Sequence, residues 1–162
     1  MKSLRARVLL LIVGFGLMMA ALLAIIMHAS VRQYYSDWMY AKNAAFAQRV
    51  LEAHPDLWRD YSSDPAGFGA TLRQYTLYSP NTGLYLLDLE GRVLATAGER
   101  QPFWTRYRVD LQPVTETMQM DPALPIVADD PDTEGRRSLV AAHEVVDEGK
   151  TRGWLYVVAR QT

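Results

Sequence analysis

The chain has 162 residues, 49% of them hydrophobic and 22% charged, with a formal net charge of −1 and no Cys. Without a basic excess it is not a nucleic-acid binder driven by phosphate neutralisation. Without thiols it has no disulfide scaffold, thiol catalysis or Cys-based zinc site. The charge is unevenly placed: setting aside Lys2, Arg5 and Arg7 leaves 14 Lys and Arg against 18 acids after Met27, a balance of −4. Aromatic and aliphatic residues stay frequent along that part, which excludes a disordered acidic tail. The expectation is a membrane anchor followed by a globular domain of roughly 130 residues, large enough for one core.

The run from Val8 to Met27 contains no charged side chain. At 1.5 Å per residue it makes a helix of about 30 Å, the thickness of the hydrocarbon layer. A cleaved signal peptide is the competing reading, with a shorter apolar stretch and a small-x-small exit. Here Met27-His28-Ala29 puts Met where a small residue is wanted, which favours an uncleaved anchor. Lys2, Arg5 and Arg7 crowd the N-terminal flank and favour a cytoplasmic N-terminus. Residues from 28 onward are then expected outside the inner membrane.

From His28 to Ala53 there is no Pro or Gly. A stripe of Val31, Tyr35, Met39, Phe46 and Val50 recurs at helical spacing, interrupted at Lys42. A second stripe, Tyr34, Trp38, Ala41 and Ala45, lies beside it. The spacing predicts a long helix with two apolar faces, one covering a sheet and the other, the stripe of Val31, Tyr35, Met39, Phe46 and Val50 softened at Lys42, meeting a second copy in a parallel homodimer. The aromatics also suit a belt at the membrane surface.

Pro55 ends this helix, and Asp64-Pro65 opens a second one running through Leu72 and Tyr75 to about residue 78. After Gly83 the period becomes that of strands: Leu84–Asp88 and Arg92–Thr96 flank a turn at Leu89-Glu90-Gly91. A third extended segment is predicted over Arg106–Val114, a long loop over Gln119–Arg137, and final strands over Ser138–Val146 and Gly153–Ala159. Two helices followed by about five strands predict an α+β fold, an antiparallel five-stranded sheet with helices on one face.

The segment YLLDLEGRVLATAG and the tail LPIVADDPDTEGRRSLVAAHEVVDEGKTRGWLYVVA carry a resemblance. Together with the anchor, they resemble the extracytoplasmic PAS-like (PDC/Cache-type) sensor domains of proteobacterial sensor histidine kinases. The resemblance covers most of residues 31–159. It implies a cytoplasmic segment over 1–7, a transmembrane helix over 8–27, a membrane-proximal signalling helix over 28–54 and a periplasmic sensor domain over 55–162. It also implies that the chain is the input end of a longer protein whose output modules lie beyond Thr162. A bitopic envelope protein using the same fold for protein interaction is the alternative.

Chemical motifs are sparse. His143-Glu144 begins an H-E-x-x-H pattern, but Asp147 stands at the second His position. No phosphate loop, nucleophile elbow or kinase box is present in the sequence. No catalytic residue and no cofactor are therefore expected in this segment. Asp129, Asp130, Asp132 and Glu134 form a dense acidic cluster with two readings. One is a site for a divalent cation; the other is a solvated loop neutralised by Arg136 and Arg137. A small-molecule pocket is expected between the sheet and its covering loops, with Tyr85, Trp104, Arg106, Arg108 and His143 as candidates. Arginine forks onto carboxylates and the aromatics wall a cavity.

Overall fold

A computed structural model describes residues 4–77, 79, 81–121 and 124–160. The chain divides into two units, Met1–Ser36 and Asp37–Thr162. Helix α1 (Leu4–Ala53) supplies the described part of the first unit. Within it, Val8–Val31 is long and apolar enough to cross a membrane, and none of that stretch is buried by protein. The candidate span thus ends four residues beyond the expected limit at Met27. Gly14 and Gly16 have open space around them, so neither is needed for close packing.

The second unit begins with the end of α1, where Tyr40, Phe46, Ala47 and Val50 are buried. Two short helices follow, α2 (Leu57–Ser63) and α3 (Phe68–Thr76). The sequence reading passed over α2. Pro55 does end α1, but the helix resumes two residues later because Leu57 is drawn into the core, at 2% exposure.

The sheet has five strands: β1 (Thr82–Asp88), β2 (Val93–Thr96), β3 (Ile126–Asp129), β4 (Arg137–Asp147) and β5 (Lys150–Ala159). Their order is β2-β1-β5-β4-β3 and every pairing is antiparallel. The expected α+β architecture is therefore present. The β1–β2 turn closes because the Asp88 carboxylate accepts from the amides of Glu90 at 3.0 Å and Arg92 at 2.8 Å. Gly91 takes φ +82° there, and a Cβ would meet the Val109 carbonyl.

The expected strand over Arg106–Val114 is absent. A 3-10 turn (Pro102–Thr105) leads into an extended crossing, and helix α4 (Gln112–Met120) begins where a strand was to continue. The third strand is instead β3, inside the stretch predicted to be a loop. It pairs with β4 from Ile126↔Val140 to Asp129↔Arg137.

Register sorts the side chains of the central strands into two faces. Ala141, His143 and Val145 align with Val157, Leu155 and Gly153, and with Leu84, Leu86 and Asp88. Helices α1 and α2 cover this face: a Cβ on Gly153 would lie 3.1 Å from the Trp58 ring. The opposite face carries Ala142, Tyr156 and Tyr85 in one row. There the covering comes from the segment 102–111, here termed the cap, whose Trp104 ring meets Tyr85 edge-on at 6.1 Å.

Candidate functional site

The cap is held by a few specific bonds. Trp104, 4% exposed, donates its indole Nε1–H to the carbonyl of Pro131 at 2.5 Å. The amide of Val109 donates to the Gly91 carbonyl at 2.8 Å, and the amide of Asp110 to the Asp129 carboxylate at 3.1 Å. From beneath, the Tyr156 hydroxyl donates to the Asp129 carbonyl at 2.8 Å. The end of β3 and the loop after it are therefore the common anchor for the cap and for β5.

This use of the loop bears on the acidic cluster. Asp129 serves Asp110, as above. Asp130, buried at 5% exposure, accepts from the Asp132 amide at 3.1 Å and the Ser138 hydroxyl at 3.2 Å. Arg136 lies 4.0 Å from the same carboxylate. Asp132 is paired with Arg160, whose guanidinium also donates to the Tyr85 hydroxyl at 3.1 Å. Glu134 is exposed and lies on the side of the loop that faces Tyr107. Among the described residues no three His, Asp or Glu converge on a point where a metal ion would sit. In this loop the Asp129, Asp130 and Asp132 carboxylates serve backbone amides, Ser138 and the arginines Arg136 and Arg160.

The five ligand candidates separate into three places. Tyr85 is fully buried, and burial drives its hydroxyl well above the usual tyrosine range, so it acts as core. Trp104 packs on it and lines a cavity of about 520 Å³ with Pro65, Arg73 and Leu94–Arg100. His143 lies on the opposite face, under α1. Burial there lowers its pKa, while a hydrogen bond to the Ala44 backbone opposes the shift. Arg106 and Arg108 line one cavity, of about 620 Å³, with Phe103, Thr105, Tyr107 and Glu134. The predicted pocket therefore loses Tyr85 and His143 to the two faces of the sheet.

Sequence reasoning missed Phe103 and Tyr107, and grouped Glu134 with the acidic cluster rather than beside Arg106 and Arg108. The i, i+4 spacing of Phe103 and Tyr107 was the available signal; their rings meet edge-on at 5.6 Å. Tyr107 is half-buried, and its hydroxyl titrates high because it is buried and faces the Asp129 carboxylate.

The helix stripe also divides. Phe46 and Val50 face the core of their own domain, at 7% and 2% exposure, and are unavailable to a partner chain. Met39 is half-buried, Val31 is exposed, and the side chain of Tyr35 lies outside the described residues. The neighbouring stripe is the outward one: Tyr34 and Trp38 are 76% and 52% exposed, and Ala41 and Ala45 are exposed too. The Lys42 ammonium lies 5.4 Å from the Trp38 ring centre. No family model matches the chain, and no curated protein matches it.

Proposed function

We propose that this chain is the membrane-anchored input module of a two-component sensor histidine kinase, with residues 1–7 cytoplasmic and the sheet domain periplasmic. It is not itself an enzyme on this reading. A stimulus received by the domain passes through α1 to output modules beyond Thr162. The observation that carries the reading is the double use of α1. One helix contains the candidate span Val8–Val31 and also contributes Tyr40, Phe46, Ala47 and Val50 to the domain core. Repacking of the domain then acts on the element that enters the membrane. The five-stranded antiparallel sheet after a long helix is also what the resemblance to PAS-like sensor domains implies.

The outward stripe of Tyr34, Trp38, Ala41 and Ala45 is the surface by which two copies would align in a parallel dimer. Reporter fusions at Thr162 test the topology: alkaline phosphatase should be active and a cytoplasm-dependent fluorophore dark. The opposite pattern overturns the orientation. Reading the gene past the Thr162 codon tests the role, with a second apolar span and kinase motifs expected. A stop codon there would instead assign the chain as a bitopic envelope protein that binds other proteins.

A further inference from the structure

We propose that Arg160, at the exit of β5, is a positioning residue that couples the cap to the chain leaving the domain. Its side chain has partners on two different elements. The guanidinium pairs with Asp132 in the loop after β3 and donates to the Tyr85 hydroxyl on β1 at 3.1 Å. Its backbone amide donates to the Asn81 carbonyl at 2.9 Å, which holds the strand end beside the start of β1. Asp132 directly follows Pro131, whose carbonyl accepts from Trp104, and Trp104 meets Tyr85 edge-on. Trp104, Pro131, Asp132, Arg160 and Tyr85 therefore close a ring. Trp104 belongs to the cap, and Arg160 is the residue by which the chain leaves β5.

A surface ion pair by itself is a weak tie. Tyr85 changes that. It is fully buried, and among the described residues Arg160 is the sole hydrogen-bond partner of its hydroxyl. Drawing Arg160 away leaves this hydroxyl without its partner beside the Trp104 ring, where an unmet polar group is costly. Lifting the cap acts from the other side: it lets water reach the hydroxyl and compete with the guanidinium. Loss of either seat makes loss of the other easier, which is a coupling between cap and exit. A second tie comes from the same strand, since the Tyr156 hydroxyl donates to the Asp129 carbonyl at 2.8 Å and holds β5 to the base of the loop. On the sensor reading, on which this inference rests for its role alone, the clasp supplies an exit route through β5 beside the one through α1.

Urea unfolding of the full chain in detergent tests the coupling by a double-mutant cycle. Trp104 and Arg160 share Tyr85 and the Pro131-Asp132 segment but no hydrogen bond with each other. If they acted independently, their effects would multiply. Arg160→Gln alone should lower the folding equilibrium constant by roughly tenfold. Combined with Trp104→Phe, it should lower the constant by about fivefold less than the product of the separate effects. Arg92→Gln, on the exposed β1–β2 turn, should combine with Trp104→Phe multiplicatively. Hydrogen exchange of the Trp104 indole N–H, followed by NMR, adds a readout that a purely local role of Arg160 would not move. Arg160→Gln should speed it by the same factor by which it lowers the folding constant. A multiplicative cycle for Trp104 and Arg160 overturns the proposal. So does an indole rate unchanged while stability falls, because the cap then opens with Arg160 still seated. Unchanged stability in Arg160→Gln overturns it too. None of these outcomes touches the topology or gene-reading tests of the sensor role.

Discussion

The indole of Trp104 and the carbonyl of Pro131 are joined by a 2.5 Å hydrogen bond across 27 residues of chain. Both residues are buried, so neither group has water as a substitute. Trp104→Phe keeps a ring against Tyr85 but leaves the Pro131 carbonyl unpaired, at an expected cost of about 1–2 kcal/mol. Trp104→Ala also empties the space between cap and sheet and should cost about 3–5 kcal/mol. Urea unfolding of the full chain in detergent measures both. Equal losses for the two substitutions would show that the hydrogen bond dominates over the packing.

His143 gives the domain a pH dependence of defined sign. Burial against α1 holds its folded pKa below the unfolded value of about 6.5. The unfolded chain therefore binds this proton more readily. Stability from His143 is complete above about pH 6.5 and is lost as the pH falls toward the lower folded pKa. Melting temperatures between about pH 7.5 and 5 should fall more steeply for the natural chain than for His143→Gln. Parallel curves would show that His143 is protonated equally in both states.

Gly153 lies beneath the Trp58 ring of α2. Its Cβ position is occupied by the Leu87 carbonyl and lies 3.1 Å from the Trp58 ring. The carbonyl belongs to the ladder and cannot move without disturbing β1, so Gly153→Ala should destabilise by about 1–3 kcal/mol. Gly135→Ala is the control, with open space but φ +77°, and should cost about 1 kcal/mol at most. Thermal melts of the two variants check the order.

The Cys-free sequence makes α1 easy to map by labelling. Single Cys at positions 38, 41 and 45 should react rapidly with a water-soluble maleimide. Cys at 46 and 50 should react more slowly by on the order of tenfold or more, since a buried thiol labels only through local opening. In membranes, disulfide crosslinks between copies should follow the outward stripe. Crosslinks strongest at 46 and 50 would contradict the core assignment of Phe46 and Val50.

Local pattern was enough where a segment satisfies its own chemistry. Asp88 through Arg92 encode their turn in five consecutive residues, and β4 and β5 are largely apolar runs around a tight connection. Val8–Met27 announces itself as an uncharged run of bilayer length, though the apolar helix continues to Val31. The misread segment 106–111 fails for an instructive reason. Tyr107, Val109 and Leu111 do point inward and Arg106, Arg108 and Asp110 outward, as in a strand. The alternation is real, but the backbone is held by isolated bonds to Gly91 and to Asp129 rather than by a ladder. Pro113, in the first turn of α4, was the local signal that extension stops there. β3 was hidden among three prolines because its four residues depend on pairing with β4. The candidate site was legible only as Arg106 and Arg108. Glu134 reaches them through the tertiary path of the loop, and no spacing rule links it to the cap.

The lengths of the strands carry a last consequence. Both outer strands, β2 and β3, are four residues long, whereas β1, β4 and β5 have seven, eleven and ten. On β3, the Val127 carbonyl is already taken by the Arg137 side chain at 2.6 Å. A foreign strand would find little exposed backbone to extend the sheet at either margin, which protects the domain from runaway edge-to-edge aggregation. Crowding many copies side by side is then tolerable, and any ordered pairing among them must be built from side chains rather than from shared sheet.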